Sequence, residues 1–504
     1  MIKDLKKFKI ETITGHSGKN PTQNHGIPAP PLYRTSTILS SNMKNYRNRT
    51  GRYTYGRNGT PTSDSLISSI SNLYKAEGCV LAPSGMAAIT IGLMSILKAK
   101  DHILLPDSVY GSTRRFVKEE FPRLEIEFDF YNSRDLNQLE NLIKNNTKAL
   151  YIESPGTYTF EIIDIKKVIN ICKKYNLKSL MDNTWATALF FNPLDFGVDV
   201  VIEAITKYIS GHSDVMMGVV LGNDSNLMEL QRWSKNSGNY VSPDDIYMAL
   251  RGLRTLPLRL KKSSENSLKI AKFLEKKQHV KRVIHPALKQ HPDHNIWKRD
   301  FKGASGIFAI EFEKNITEKE VDILADNCQI FGIGASWGGY SSLLSSMNVA
   351  ENRNLKSSFI PSGQYMRIYA GTEDSKDLIN DLNSGFEFNQ SQISNGSNLG
   401  VSTTSLVPGL PSMFMGIPIA EYQRQLGQSL KKTFLTDEPV SIVIHRIGKP
   451  TLTINIARKS TVSDIKTKLN IPLDACFYWK GVNMGNENPI GYYVTEPILH
   501  LKLI

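Results

Sequence analysis

Short apolar runs alternate with stretches of helical periodicity from about residue 61 to residue 255. This alternation is typical of a mostly parallel, doubly wound sheet with helices on both faces. Several runs are apolar throughout, as expected when both faces of a strand are buried. The predicted strands are 79–82, 102–105, 125–131, 149–153, 179–182, 198–205 and 216–221, and the predicted helices are 63–74, 86–97, 137–143 and 165–175.

The rest of the chain divides by composition. Residues 1–60 are rich in Gly, Pro, Asn and Thr and predict an N-terminal arm with little regular structure, which needs a partner surface. Residues 61–255 then form a large domain, and residues 256–388 predict a smaller α+β domain. Residues 389–438 begin with a segment dense in Ser, Asn, Gly and Pro, which is typical of a linker. The predicted elements of the smaller domain are a helix at 264–277 and strands at 280–285, 306–312 and 366–370.

Residues 439–504 predict a compact domain of order ββαββ, a β-grasp. Its predicted strands are 440–444, 452–456, 476–479 and 498–503, with a helix at 461–469. The pattern of the helix and of the last strand resembles ubiquitin. That resemblance implies either a docking module for a protein partner or an appended folding module. The chain ends at Ile504 without a Gly-Gly pair, so conjugation through its C-terminus is not expected.

Charge and cysteine usage exclude several classes of protein. The net charge is +13, but the lysines are dispersed and form no long basic block with interleaved aromatics, which argues against nucleic-acid binding. The four cysteines lie far apart and form no CxxC pair, so neither a metal site nor a disulfide framework is predicted. The polar N-terminus does not resemble a signal peptide, and no apolar run is long enough to span a membrane. We therefore expect a cytoplasmic protein.

Lys207 is the first candidate for chemistry. It follows an apolar run that begins at Val200, and a small polar loop comes after it. Partial desolvation of a lysine lowers its pKa and leaves a nucleophilic amine, which is what a Schiff-base lysine requires. Taken alone, the segment favours a lysine that merely extends from a strand end into solvent. Residues elsewhere in the chain reverse that preference.

Two further candidates follow predicted strands. Ser84, Gly85 and Met86 lie between a strand and an apolar helix, where backbone N–H groups and the helix dipole attract a phosphate. Such turns are also common without a ligand. Asp182 ends a strand at the edge where parallel sheets bind ligands, so its carboxylate can hold a protonated ring nitrogen. An N-cap for the next segment explains Asp182 equally well.

Tyr110 and Arg367 can each be interpreted either as ligand-binding residues or as purely structural ones. Tyr110 lies just past a strand, where its ring can stack on a planar cofactor or simply pack against the protein. Arg367 lies on a predicted strand of the smaller domain. Its guanidinium can bind a carboxylate through two hydrogen bonds, or form an ordinary surface ion pair.

Taken together, the motifs resemble the Cys/Met-metabolism family of pyridoxal-phosphate enzymes over about residues 10–388. The segments that carry the resemblance are 55–62 (YGRNGTPT), 84–86 (SGM), 110–111 (YG), 153–156 (ESPG), 182–185 (DNTW), 206–208 (TKY), 211–214 (GHSD) and 251–256 (RGLRTL). They occur in the order of the family, which makes the resemblance specific. It implies the type I fold of PLP-dependent aminotransferases, with a mostly parallel sheet and a smaller α+β domain.

The resemblance also implies a role for each candidate residue. Lys207 would carry the cofactor through a Schiff base and act as general base, Asp182 would pair with the ring nitrogen, and Tyr110 would stack on the ring and assist proton transfers. The phosphate would be held by Ser84, Gly85, Met86 and Thr206, and by Tyr55 and Arg57 of a neighbouring subunit. Arg367 would bind the substrate carboxylate. Ala204 stands where many family members have a phosphate-binding serine.

Two segments point to one branch of the family. Residues 153–161 (ESPGTYTFE) and 334–343 (GASWGGYSSL) resemble bacterial-type cystathionine β-lyases, and the second would place Ser336 and Trp337 near the substrate. The implied reaction cleaves L-cystathionine, a sulfur-containing amino acid, to homocysteine, pyruvate and ammonia. The alternatives are a γ-lyase or γ-replacement enzyme of the same family, or a non-catalytic scaffold for the C-terminal domain. The implied assembly is a homodimer or homotetramer with shared active sites.

Overall fold

The computed structural model describes residues 4–356 and 359–394, with side chains described through residue 387. Further along the chain it describes short strands only, within 413–418, 439–446, 452–457, 477–483 and 498–503. The chain divides into two compact units, Met1–Ser402 and Thr403–Ile504.

The first unit contains all the described α-helices. They are α1 (Ile10–His16), α2 (Met43–Asn48), α3 (Pro61–Tyr74), α4 (Gly85–Ile96), α5 (Gly111–Glu119), α6 (Ile165–Tyr175), α7 (Thr187–Phe190), α8 (Asp224–Asn236), α9 (Pro243–Leu274), α10 (His294–Asp300), α11 (Glu318–Asp326) and α12 (Ser375–Ser394). Within the described part of the chain, no helix combines the length and apolar character needed to cross a membrane.

A seven-stranded mixed sheet forms the centre of the first unit. Its strands are β1 (Gly78–Ala82), β2 (His102–Pro106), β3 (Glu127–Tyr131), β4 (Thr147–Glu153), β5 (Lys178–Asp182), β6 (Val200–Glu203) and β7 (Gly218–Gly222), in the order β1-β7-β6-β5-β4-β2-β3. The five strands from β6 to β3 are parallel, whereas β7 is antiparallel to both of its neighbours. The predicted mostly parallel sheet is therefore present, with β7 making it mixed.

The central strands are apolar on both faces because both faces are covered. On β4, Leu150 and Ile152 belong to one apolar cluster, whereas Tyr151 between them belongs to a second. On β5, Leu180 and Met181 divide in the same way. Successive residues of a strand point to opposite faces, so these two clusters lie on opposite sides of the sheet. This burial explains why the sequence shows continuous apolar runs rather than alternation.

A second sheet lies within the residues predicted to form the smaller domain. It has five strands, β8 (Val280–Ile284), β9 (Ile307–Phe312), β10 (Gly332–Ile333), β11 (Leu343–Ser346) and β12 (Tyr365–Tyr369), in the order β10-β11-β12-β9-β8. Helix α9 runs for 32 residues with Pro257 inside it, and it crosses the predicted domain boundary at 255/256. Helix α12 likewise continues past the predicted boundary at 388.

Two local predictions differ from the structure. The predicted helix at 137–143 is a 3-10 turn, Leu139–Leu142, because its few residues include two asparagines, which compete with the backbone for hydrogen bonds. The predicted arm contains α1 and α2, and α1 is tied to its own chain. Arg254 on α9 donates to the carbonyls of Thr14 at 2.6 Å and Ser17 at 2.8 Å.

The second unit has two small sheets among its described residues. Strands β13 (Met413–Phe414) and β14 (Ile417–Pro418) pair with each other. The other five are β15 (Pro439–Arg446), β16 (Leu452–Ala457), β17 (Phe477–Trp479), β18 (Val482–Asn483) and β19 (Ile498–Leu503), in the order β16-β15-β19-β17-β18. The β15–β19 pair is parallel, and the other neighbours are antiparallel. The predicted helix at 461–469 and most of the predicted linker lie outside the described residues.

Candidate active site

A cavity of about 1080 Å³ lies at the carboxyl edge of the central sheet. Parallel strands end together at this edge, so the segments after β2, β4, β5 and β6 meet there. Residues of the second sheet close the other side. The cavity brings together ten residues from separate parts of the chain, namely Ser84, Gly85, Met86, Tyr110, Glu153, Asp182, Thr206, Lys207, Trp337 and Arg367.

Lys207 follows a turn after β6, in which its N–H donates to the Ala204 carbonyl at 3.0 Å. Its Nζ donates to Ser336 Oγ at 2.8 Å and lies 5.2 Å from the centre of the Trp337 ring. Burial, assisted by the positive charge of Arg367, lowers the pKa of Lys207 to about 8. An amine with this pKa is half neutral near pH 8, and the neutral form is a nucleophile and a base.

Two glycines allow the backbone to hold Lys207 closely. Gly338 has a φ of +90°, and a Cβ on it would lie 2.8 Å from Lys207 Cα, so the segment 334–340 approaches the lysine only because residue 338 is glycine. Behind the lysine, Arg259 donates to the Tyr208 carbonyl at 2.8 Å. A Cβ on Gly211 would overlap that guanidinium. The lysine loop is therefore packed from both sides.

Asp182 ends β5 and lies directly opposite Glu153 of β4 in the sheet register. The N–H of Thr184 donates to Asp182 Oδ1 at 3.0 Å. Burial raises the pKa of Asp182, while the hydrogen bond from Thr184 and the charge of Lys207 act in the opposite direction. A cation held against this carboxylate would further favour its ionised form.

Tyr110 directly precedes α5, and its side chain is 44% exposed at the cavity. Its backbone N–H donates to Glu153 Oε2 at 2.7 Å, and the Thr157 hydroxyl lies 2.5 Å from Glu153 Oε1. Glu153 had no predicted role of its own. A carboxylate at the end of a strand, next to the strand that ends in Asp182, was the signal that could have identified it.

Arg367 reaches the cavity from β12 of the second sheet. It is only 8% exposed, and its Nη2 donates to the carbonyls of Ala335 at 2.6 Å and Ser336 at 3.2 Å. The same segment therefore contacts both Lys207 and Arg367. This places a fixed guanidinium and a half-neutral amine in one cavity.

The start of α4 offers hydrogen-bond donors to an anion. Ser84 caps the helix by accepting from the Ala87 N–H at 3.0 Å, and the next two N–H groups, of Gly85 and Met86, have no acceptor within the helix. A Cβ on Gly85 would lie 2.9 Å from Ala204 Cβ, so this turn needs glycine.

Thr206 is the least supported of the residues predicted to hold a phosphate. Its N–H donates to the Met217 carbonyl at 3.0 Å, and its hydroxyl donates to the same carbonyl at 3.1 Å. Both donors are therefore directed at the protein rather than at the cavity.

Tyr55 and Arg57 do not line the cavity of their own chain. Tyr55 is 46% exposed, and Arg57 donates to the Lys235 carbonyl at 2.8 Å. The structure thus separates these two residues from the other predicted site residues. Their predicted reach into a neighbouring subunit remains a prediction.

The model of the family described as Cys/Met metabolism PLP-dependent enzyme matches residues 11–387. The chain belongs to this family. The predicted family and its cofactor, pyridoxal phosphate, are therefore confirmed.

Individual relatives of this Cys/Met-metabolism enzyme have different names. A protein of Rhizobium johnstonii, named provisionally as a cystathionine β-lyase, is 42% identical over 385 residues, which cover 76% of this chain and 97% of the relative. An L-alanine/L-glutamate racemase of Wolbachia pipientis is 37% identical over 393 residues, covering 75% of this chain and 96% of the relative.

A solved structure shows the same fold. It is a cystathionine γ-synthase of Xanthomonas oryzae in complex with aminoacrylate and cysteine, with 30% sequence identity and a TM-score of 0.71. The match covers 76% of this chain and 99% of that one. The predicted type I fold is therefore confirmed for the enzyme part of the chain.

The residues of the cavity fit pyridoxal phosphate. Lys207 offers a partly neutral amine for the aldehyde, and Asp182 offers a carboxylate for the ring nitrogen. The N–H groups of Gly85 and Met86, which have no acceptor within their twelve-residue helix, suit a phosphate dianion. Pyridoxal phosphate thus finds a partner here for its aldehyde, its ring nitrogen and its phosphate.

Proposed function

We propose that the protein is a carbon–sulfur β-lyase that cleaves L-cystathionine to homocysteine, pyruvate and ammonia. The observation that carries the proposal is the contact of Lys207 with Ser336, in a segment that resembles cystathionine β-lyases. The name of the Rhizobium relative supports the same reaction.

In such a reaction, different residues of the chain bind the substrate and transfer its protons. Arg367 binds the α-carboxylate of the substrate, and its rigid hydrogen bonds to the segment 334–336 fix that end of the molecule. Lys207, as the neutral amine, removes the α-proton. Pyridoxal phosphate supplies the electron-withdrawing ring that stabilises the resulting negative charge on the α-carbon.

Departure of the sulfur group requires a second proton transfer. Lys207 then carries the abstracted proton as an ammonium and can return it to the leaving thiolate, with Tyr110 as the other proton donor at the cavity. Trp337 packs beside Lys207 Nζ and limits the access of water. Ser336 accepts a hydrogen bond from Nζ and so orients the amine between the two transfers.

The test is to incubate the holoenzyme with L-cystathionine and to identify the keto acid by chromatography. Pyruvate with equimolar homocysteine is the expected result. 2-Oxobutanoate with cysteine would instead assign γ-elimination, and the absence of any keto acid at full cofactor loading would contradict a lyase.

A second candidate is an amino-acid racemase, which the name of the Wolbachia relative favours. In the strand order, Lys207 follows β6 and Tyr110 follows β2, so these two proton-transfer groups stand on either side of Asp182. A group on each side can remove an α-proton and return it from the other side. Chiral chromatography of L-alanine after incubation tests this, and D-alanine formed faster than pyruvate is formed from cystathionine would favour the racemase.

For the second unit, we propose a ubiquitin-like β-grasp that recruits a protein partner. The proposal is supported by the strand order β16-β15-β19-β17-β18, in which the first and last strands pair in parallel at the centre. Hydrogen exchange on the full chain tests it. Protection of the five strands and of residues 461–469 is expected, whereas rapid exchange throughout 461–469 would contradict the β-grasp.

A further inference from the structure

We propose that Glu153 is a positioning residue, which holds the backbone of Tyr110 and thereby fixes the tyrosine ring at the cofactor site. This inference rests on the proposed function only because it concerns the same cofactor cavity. Its tests measure cofactor binding and do not depend on which substrate the enzyme cleaves.

The position of Glu153 is set by the central sheet. It is the last residue of β4, it is 8% exposed, and it lies opposite Asp182 in the register. From this rigid strand end its Oε2 accepts the N–H of Tyr110 at 2.7 Å. The hydrogen bond therefore connects the end of β4 to the start of α5. In the sheet, β4 is separated by β5 from β6, the strand that precedes Lys207.

Helix α5 begins without the usual cap. The residue before a helix commonly uses its own short polar side chain to accept an N–H of the first turn. Tyr110 occupies this place and makes no such hydrogen bond. In a capping box, a glutamate within the helix accepts the N–H of the capping residue. Here Glu153 supplies that acceptor from the end of strand β4 rather than from within the helix, so the ring of Tyr110 remains available to the cavity.

The surroundings of Glu153 permit the contact in both of its charge states. Burial, together with the charge of Asp182, raises the pKa of Glu153 to about 8. The Thr157 hydroxyl, 2.5 Å from Oε1, can donate to a carboxylate or accept from a carboxylic acid. In either state Oε2 remains an acceptor for the Tyr110 N–H.

Two matched variants separate the reach of this side chain from its charge. Glu153→Gln keeps the reach and removes the charge, because the amide oxygen can accept the Tyr110 N–H while the NH2 group faces the Thr157 oxygen. Glu153→Asp keeps the charge but is shorter by one carbon–carbon bond, about 1.5 Å, which takes the oxygen out of hydrogen-bond range.

The measurements are the affinity of the cofactor-free protein for pyridoxal phosphate and the visible circular dichroism of the bound cofactor. Glu153→Asp is expected to bind about tenfold more weakly and to lose part of the dichroism, whereas Glu153→Gln should match the wild type in both. The proposal would be overturned if Glu153→Asp had the affinity and dichroism of the wild type. It would also be overturned if Glu153→Gln were as impaired as Glu153→Asp.

A double-mutant cycle tests whether the effect passes through the tyrosine. If Glu153 acts by positioning Tyr110, then Glu153→Asp should add little to the loss of affinity already caused by Tyr110→Ala. Fully additive losses would show that Glu153 acts by another route and would contradict the proposal. Thermal unfolding of the cofactor-free variants identifies any general loss of stability, which by itself leaves the dichroism per bound cofactor unchanged.

Discussion

At the scale of single residues, the chemistry of the site depends on the environment of one amine. Lys207 is half-buried beside the cationic Arg367, and its partial burial and that charge both disfavour the ammonium form, whereas Asp182 favours it. The balance leaves the pKa at about 8 rather than at the ordinary value of 10.5. The family resemblance singled out Lys207, whereas the apolar run before it, taken alone, favoured a lysine that extends into solvent. The resemblance placed Ser336 near the substrate but did not identify its Oγ as the partner of Nζ, because that contact joins residues 129 positions apart.

The first prediction concerns the pH at which the amine becomes reactive. The rate at which cofactor-free protein captures pyridoxal phosphate should rise with pH and reach half its maximum near pH 8, because the neutral amine is the reacting form. Stopped-flow absorbance between pH 6.5 and 9.5 measures this rate. A rate still rising steeply at pH 9.5 would indicate an ordinary lysine.

Arg367 provides a matched pair for the same measurement. Arg367→Leu removes a positive neighbour, so the pKa of Lys207 should rise and the midpoint should move to higher pH. Arg367→Lys keeps the charge and should leave the midpoint near that of the wild type. Identical midpoints in all three proteins would exclude Arg367 as a cause of the lowered pKa.

Removal of the amine itself should abolish turnover. Lys207→Ala lacks both the attachment group and the base, and loss of general-base catalysis alone lowers kcat by roughly 10²- to 10⁴-fold. Steady-state assays with L-cystathionine, together with visible spectra, measure the two losses. Normal turnover in this variant would show that Lys207 is not the catalytic lysine.

At the scale of elements, the strands were predictable and several connections were not. The predicted strands of the central sheet lie within two residues of the observed ones, because burial on both faces leaves a continuous apolar signal. Helix α5 was missed, since its short sequence carries charged residues beside few apolar ones. The segment 334–340 has no periodicity at all, and only its packing against Lys207 shows why Gly338 stands there.

The fourth prediction tests this packing. Gly338→Ala places a Cβ against the backbone of Lys207 at a positive φ, so it should destabilise the protein by about 1–3 kcal/mol and lower kcat by displacing Ser336. Gly332→Ala is the control, because its Cβ would meet Leu343 at an ordinary 3.4 Å. Urea unfolding and steady-state kinetics measure both effects. Equal behaviour of the two variants would contradict the role given to Gly338.

At the scale of the whole molecule, the open question is how many chains build one active site. Tyr55 and Arg57 lie away from the cavity of their own chain. The family resemblance implies that they bind the phosphate in a neighbouring subunit, and the structure of one chain does not test that assignment. We propose that they complete the site of a neighbouring copy.

Hybrid oligomers test this proposal. In a co-expressed mixture of Arg57→Ala and Lys207→Ala chains, half of the dimers are hybrids, and each hybrid has one site with both residues intact. Activity should therefore recover to about a quarter of the wild-type level. A mixture no more active than the average of the two parent variants would place Arg57 outside its neighbour's site.

The most direct test of the account is to find where the cofactor is attached. Sodium borohydride converts a carbon–nitrogen double bond between pyridoxal phosphate and a lysine into a stable link, and peptide mapping by mass spectrometry then identifies the modified residue. The account predicts one stoichiometric modification, on Lys207, that is absent from Lys207→Ala. Stoichiometric attachment to any other lysine of the wild-type protein would contradict it.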